Sequence, residues 1–411
     1  MYYILSCVAF ILLANSLPAA VKLTLDQALD LADRSHPQLQ ASGAQVDVAR
    51  AGIMTARAYP NPETAFLGGH QMARVPNAVA GSDFLYTFSQ PLELGQLRPS
   101  RVKLAELGVE SSQFFLAETR LAVLGAVRRA FYEVLRRRSE IALARENLRR
   151  VEDLRKRVEV RVQLGEAGTI ELNRAEAEAA TAMTLANSAQ LQLVTAMSQF
   201  QAAVGAPLAP DVELEDVPPP PAQLPPLDQL RQEVLERHPT LALMRSEVRR
   251  AEARVNYETA LRRPQPSLRT EVERLPDSPA FRIGVALPVP FWNRREGPIA
   301  ESIAAVRQAN QLAQARQIQI LALLEGAYGR YQVAGQQIAS FEQGVLRNAE
   351  LALQGAEMAY QLGERGIIEV LDAQRILHTV RQGYLNAQYE QRSALLEINQ
   401  SRAEDLRRPI P

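Results

Sequence analysis

The chain has 411 residues, 46 basic and 46 acidic side chains, one cysteine and 47% apolar residues, with a mean hydropathy of −0.16; its length alone would allow two or three ordinary domains. Zero net charge excludes a polyanion binder held by bulk charge. The only lysines, Lys22, Lys103 and Lys156, never precede Ser or Thr, which excludes a Walker-type phosphate loop, and a lone Cys7 with four scattered histidines cannot supply a disulfide framework or a zinc site.

Residues 4–14 form an uncharged apolar run, followed by Asn15, Ser16 and Pro18-Ala19-Ala20. This is the pattern of a secretory signal peptide over 1–20, although Met1-Tyr2-Tyr3 carries no basic residue and no clean Ala-x-Ala precedes the cut. Cys7 lies too close to the start for an export signal to precede it, so it reads as part of the apolar run and not as a lipidation site. Beyond residue 20 there is no run of 18 apolar residues, so passage through a membrane would require a closed β-barrel.

An amphipathic helix then reaches His36-Pro37, where Ser35 is the expected cap and Pro37 fits the first turn of the next helix. The histidine reads as a turn residue and not as a ligand. Pro60 and Pro62 stop that helix, and two strands are expected, a weakly patterned one at 63–69 and one where Phe84, Tyr86 and Phe88 alternate with Leu85, Thr87 and Ser89. A long helix, a turn at Leu164-Gly165-Glu166 and a returning helix complete a first half spanning 21–205. On the long helix Arg128, Arg129 and Arg136-Arg137-Arg138 have glutamates interleaved, which marks a solvated helix face and excludes a nucleic-acid patch. Eight prolines between Ala206 and Pro226 make 206–227 an extended polyproline linker.

The second half, 228–404, follows the same plan and leaves 405–411 as a tail. Displaced by 202 residues, His36-Pro37-Gln38-Leu39 falls on His238-Pro239-Thr240-Leu241; displaced by 198, Leu164-Gly165-Glu166-Ala167-Gly168-Thr169-Ile170-Glu171 falls on Leu362-Gly363-Glu364-Arg365-Gly366-Ile367-Ile368-Glu369. Internal duplication is the expected organisation. Strands follow at Leu268, Thr270 and Val272 against Arg269, Glu271 and Glu273, then at Phe281, Ile283, Val285 and Leu287 against Arg282, Gly284 and Ala286. From Gly297 to Leu362 the spacing predicts one helix of about 66 residues, ~100 Å long at ~1.5 Å per residue. Its heptad seam runs through Ile320, Leu324, Ala327, Ala334, Ile338, Phe341 and Val345, and resumes after the turn from Ala373 and Leu377 to Ala394 and Ile398. A seam so rich in Ala buries little area per turn, so many parallel neighbours and oligomerisation must supply stability.

Four strands of roughly nine residues suit a tilted bilayer crossing, but four strands cannot close. Copies of the chain must share a barrel, of eight strands from two copies or twelve from three, and only the twelve-stranded version encloses a lumen. The expected fold is therefore an α+β membrane protein. Long antiparallel coiled coils form an α-barrel, and four strands per chain contribute to a shared twelve-stranded transmembrane β-barrel in a homotrimer. Phe84, Tyr86, Phe88 and Phe281 are candidates for the membrane belt, with Tyr86 the preferred girdle residue and packing against protein the other reading.

On these residues the chain after residue 20 resembles the TolC-type outer-membrane efflux factors, the exit ducts of tripartite pumps in Gram-negative bacteria. The resemblance is carried by the duplicated half, by the two tip turns and by Tyr360-Gln-Leu-Gly-Glu-Arg-Gly-Ile-Ile-Glu-Val-Leu-Asp-Ala373. Ser89-Gln-Pro-Leu-Glu-Leu-Gly95 and Leu287-Pro-Val-Pro-Phe-Trp-Asn-Arg-Arg-Glu-Gly297 are similar to the strand-to-helix junctions of the subgroup serving heavy-metal (CzcC-like) RND pumps. The resemblance implies an outer-membrane trimer in contact with lipid, with helices extending into the periplasm. It implies adaptor contacts at Leu164, Gly165, Glu166, Leu362, Gly363 and Glu364, and an inner-membrane RND transporter as the energised partner. Glu369 and Asp372 fall at the periplasmic aperture; three residues apart they share a helix face, and threefold symmetry would make each a ring of three carboxylates. Tyr360, Arg365 and Glu171 fall at the closed-state latch, with an Arg365–Glu171 pair expected. Without the resemblance, these five residues read as a solvated helix face with surface pairs worth at most ~1 kcal/mol. Gly366, Glu166 and Glu364 depart from the family pattern.

The function implied is passive export of metal cations or small toxicants, with no catalytic residue, no cofactor, no resident metal and no nucleic-acid partner. The alternative is a periplasmic coiled-coil adaptor or scaffold, which would be water-soluble without detergent and would lack an aromatic-banded barrel.

Overall fold

The computed structural model describes residues 22–72, 79–208, 212–215 and 224–407, so the expected signal peptide lies outside the described residues. In chain order the elements are β1 (Lys22–Thr24), α1 (Leu25–Ser35), α2 (Pro37–Arg57), β2 (Glu63–Gln71), β3 (Gly81–Pro91), α3 (Leu97–Gln163), α4 (Thr169–Val204) and β4 (Glu213–Glu215). They continue with α5 (Leu227–Arg237), α6 (Pro239–Leu261), β5 (Ser267–Arg274), β6 (Pro279–Ala286), α7 (Glu296–Ser340), α8 (Leu346–Gln361) and α9 (Ile367–Ser401). Two short helices, two strands, a long helix and a returning helix thus occur in the same order on both sides of β4.

The breaks between short helices are made by histidine. Ser35 is not the cap: its Oγ donates back to the Leu31 carbonyl at 2.6 Å, as hydroxyls inside helices do. His36 Nδ1 instead accepts from the Gln38 N–H at 3.2 Å, and His238 Nδ1 from the Thr240 N–H at 3.2 Å. A ring nitrogen that accepts must be unprotonated. Burial pushes the His36 imidazole below its usual value, and burial followed by the Arg316 charge takes His238 down to about 4. With the folded value below the unfolded one, the contribution of His238 to stability is complete above about pH 6.5 and is lost as pH falls toward 4. Asparagine caps without titrating, so His238→Asn should flatten the fall in thermal midpoint across that window; an unchanged pH profile would refute the assignment.

The expected single helix from 297 to 362 is two helices, α7 and α8, joined by a π turn at Phe341–Val345. The turn inserts one residue into the seam. Burial at Ile320, Leu324, Ala327 and Ala334 resumes at Ala349, Leu353 and Tyr360, one position later than heptad spacing from Ile320 would place it. The extra residue is taken up at Gly344, whose φ of 174° and ψ of −25° leave the helical range, and the Phe341 ring of the same turn packs across the hairpin. That ring lies so close to Gly383 on α9 that a Cβ there would come within 3.0 Å of it, and it packs edge-on against Tyr384 at 6.0 Å. The Tyr384 hydroxyl donates to Glu342 Oε1 at 2.8 Å. By contrast α3 runs unbroken for 67 residues.

The Pro-rich segment is not all polyproline: β4 pairs in parallel with β1, Leu23 opposite Leu214, and Arg138 Nη1 donates to the Leu214 carbonyl at 3.0 Å. The rest of the arginine run is neutralised along its own helix. Arg136 meets Glu140 at 3.0 Å, and Arg137 meets Glu133 and Glu140, each at 2.7 Å. Near the sheet the helices pack side by side in the order α2, α3, α6, α7, and toward the tips in the order α4, α3, α9, α8. A separate apolar cluster containing Leu154, Val158, Leu353, Tyr360, Ile367, Val370 and Leu377 fastens the α3–α4 hairpin to the α8–α9 hairpin at the tip.

Candidate functional site

The sheet has the order β2-β3-β5-β6 with every pair antiparallel. Its strands are 9, 11, 8 and 8 residues long. Register places Phe66 opposite Tyr86, Tyr86 opposite Val272 and Val272 opposite Phe281. Since alternate residues share a face, Phe84, Tyr86, Phe88, Phe281, Ile283 and Val285 lie on one side, and all six are exposed in the single chain. Phe66 sits 4.7 Å from Tyr86 and 5.9 Å from Phe84, centroid to centroid. The opposite face carries Glu63, Asp83, Arg269, Glu271, Glu273 and Arg282, with Arg282 Nη1 donating to Glu273 Oε2 at 2.6 Å. Across the middle of the strands one face therefore suits hydrocarbon and the other is mainly charged or polar, while His70 and Arg274 join the aromatic face at the far end of the sheet. The outer strands β2 and β6 have no partner on their far sides within the described chain. No described helix is long and apolar enough to cross a membrane.

At the far ends of the helices both tip turns close in the same way. Gly165 and Gly363 take φ of 76° and 74°, a left-handed conformation that glycine adopts without a steric penalty. The N–H groups of Gly165 and Glu166 return to Val162 and Arg161, and those of Gly363 and Glu364 to Tyr360 and Ala359, satisfying carbonyls that a helix end leaves free. All six tip residues, Leu164, Gly165, Glu166, Leu362, Gly363 and Glu364, are exposed.

Just above the turns, polar contacts join the two hairpins. The Tyr360 hydroxyl donates to Glu171 Oε2 at 3.2 Å, and burial, then the Glu171 carboxylate, raises the phenol above its usual range, keeping it a donor. Arg161 Nη1 donates to the Tyr360 carbonyl at 3.0 Å, and its guanidinium lies 4.6 Å from the Tyr360 ring centroid, within cation–π range. Arg365 forms no ion pair among the described residues, so the expected Arg365–Glu171 pair is not made within the chain; Tyr360 takes the carboxylate instead. Farther up, both oxygens of Glu178 accept from Arg375 Nε at 3.2 Å, and Arg375 Nη1 is 3.6 Å from Asp372. Hydrogen bonding to Glu178 raises the Arg375 guanidinium further still. Arg381 then bridges Glu146 at 2.7 Å and Glu350 at 2.8 Å. Glu369 and Asp372 are both exposed on α9, and Glu369 has no ion pair among the described residues. Sequence reasoning missed Arg161, Arg375 and Glu178, because their partners lie on helices remote in sequence.

The model of the family described as "Outer membrane efflux protein" matches residues 28–206 and 230–402. The chain belongs to that family. Membership makes it a transport protein acting in efflux at the outer membrane. This efflux protein is 30% identical over 375 residues to the cobalt-zinc-cadmium resistance protein CzcC of Cupriavidus metallidurans, covering 89% of this chain and 87% of the relative. Its fold is shared with CusC, which forms a transmembrane channel, at a TM-score of 0.77 and 18% identity over 92% of this chain and 91% of that one. It is shared also with the outer-membrane channel OprN, at a TM-score of 0.81 and 17% identity over 92% and 89%.

Proposed function

We propose that three copies close head to tail into a duct that carries divalent metal cations out of the periplasm, with a periplasmic adaptor docked at the tips and an inner-membrane RND transporter supplying the energy. The carrying observation is the distribution of exposed apolar side chains. Val48 and Met54 on α2 and Met183, Leu191 and Val194 on α4 form one edge; Leu312, Ile318 and Leu323 on α7 and Leu351 and Met358 on α8 form the other. These edges continue the sheet edges β2 and β6, so a single head-to-tail interface runs from strands to tips. An interface of two unlike patches makes a ring where the rotation between copies closes, and a ring of three copies brings twelve strands around a lumen. The halves 21–205 and 228–404 then stand as repeats of one unit, giving the ring near-sixfold regularity. In the ring Glu369 and Asp372 form the periplasmic aperture, and Tyr360, Arg161, Glu171, Arg375 and Glu178 hold its hairpins shut. The aromatic face of the sheet lies in outer-membrane lipid, and the helices cross the periplasm. Divalent cations are the cargo favoured by the acidic aperture and by likeness to a cobalt-zinc-cadmium resistance protein.

The test is the mass of the detergent-purified protein, followed by zinc efflux from cells that lack their own duct and express this one. A trimer that restores efflux is expected. A monomer that stays soluble without detergent would replace this reading with the periplasmic adaptor.

A further inference from the structure

Trp292 is the only tryptophan in the chain, and it is 96% exposed, beside a 69% exposed Phe291 whose ring it meets edge-on at 6.0 Å. The pair follows β6, beyond which Leu287, Val289 and Phe291 are exposed and the Phe291 N–H turns back to the Val289 carbonyl at 2.9 Å. At the start of β2, the opposite edge of the sheet, Tyr59, Pro60, Pro62, Gln90, Leu92 and Leu94 line a cavity of ≈ 510 Å³. We propose that the Phe291-Trp292 pair of one copy seats in this cavity of the next, a keyed joint between barrel and helices. The inference rests on the head-to-tail ring proposed above.

Register supports the match. Glu63, Ser89, Arg269 and Gly284 share one hydrogen-bonded row across the sheet. Closing strands tilted by ~35–45° staggers that row by roughly four to six residues per copy. Gly284 then faces residues 67–69 of the next copy and Ala286, the last residue of β6, faces residues 65–67, which sets the turn that carries Phe291 and Trp292 beside the residues preceding β2. Stagger of the opposite hand would set Gly284 against residues 57–59, where α2 ends, and leave the two strand edges unpaired. Chemistry supplies the need for the joint. Pro288 and Pro290 on one edge, and Pro60 and Pro62 on the other, have no N–H to donate, so the hydrogen-bonded ladder cannot continue below the strands. Side-chain packing must hold the seam there, and an aromatic pair brings a large apolar area to it. Tyr59 is held in place by Arg98, whose guanidinium lies 4.5 Å from the ring centroid.

The single tryptophan reports on this directly. In the wild-type protein reconstituted into vesicles of brominated phospholipid, Trp292 emission should be blue-shifted, poorly quenched by acrylamide and little quenched by bromine, and Tyr59→Ala should shift it to the red. In a Cys7→Ser background, Trp292→Cys with Asn61→Cys should give a covalent trimer on oxidation, and neither single variant should. Strong bromine quenching in an intact trimer would assign the pair to lipid and overturn the joint. Free acrylamide access in an intact trimer would overturn it too. Light scattering on the same sample separates these results from failure of the ring: a monomer would overturn both.

Discussion

Tyr360→Phe combined with Arg375→Ala should convert a channel of small, brief openings into one with large, long-lived openings in a planar bilayer. Phenylalanine retains the ring under Arg161 and the apolar packing of the tip, so the first change removes only the hydroxyl that reaches Glu171. The second removes the fork that holds Glu178. Both contacts run between the α3–α4 and α8–α9 hairpins, which must separate if the tip is to widen. Taken together as a single surface pair, about 1 kcal/mol per copy, they cost the proposed ring of three copies moving in concert ~3 kcal/mol, a shift of roughly a hundredfold between shut and open. Symmetry thus amplifies contacts that would be negligible in a monomer. Unchanged conductance and dwell time in the double variant would remove these residues from the gate.

Much of this architecture can be read from the chain because it is written in local patterns. The alternation around Tyr86 and Val272 gives the two faces of the sheet, and glycines at 165 and 363 mark turns that need positive φ. What could not be read was non-local. Ser35 and His36 both precede Pro37, and hydroxyl caps are the commoner choice; the choice of imidazole follows from Ser35 finding the Leu31 carbonyl one turn back. The extra residue of the π turn at 341–345 is taken up at Gly344 with Phe341 packed against Gly383 and Tyr384 across the hairpin, and a heptad count carries no sign of it until the seam has slipped. At the tip, Arg365 was the expected partner of Glu171 because the family resemblance places both at the latch. The carboxylate belongs to Tyr360, and the arginine that ties the hairpins, Arg375, looks in sequence like one more charge on a solvated face.

The same arginine sets the order of effects expected at the proposed aperture. Asp372 has a guanidinium at 3.6 Å, an attraction of ~1 kcal/mol in water that cancels part of its field, whereas Glu369 stands without an ion pair among the described residues. Glu369→Ala should therefore cost more cation selectivity than Asp372→Ala, and the double variant should lose both the cation-selective reversal potential and block by divalent cations. The difference should be largest in dilute salt and fade once the screening length drops below ~10 Å near 0.1 M. Arg375→Ala, by freeing the Asp372 carboxylate, should move the other way: the widened channel should conduct more and prefer cations more strongly. A wide pore lined only by solvated surface would gain conductance and lose selectivity together. Reversal potentials measured on the single variants Arg375→Ala, Asp372→Ala and Glu369→Ala thus separate a charged aperture from a merely wider hole, and equal values in all three would exclude the carboxylate rings.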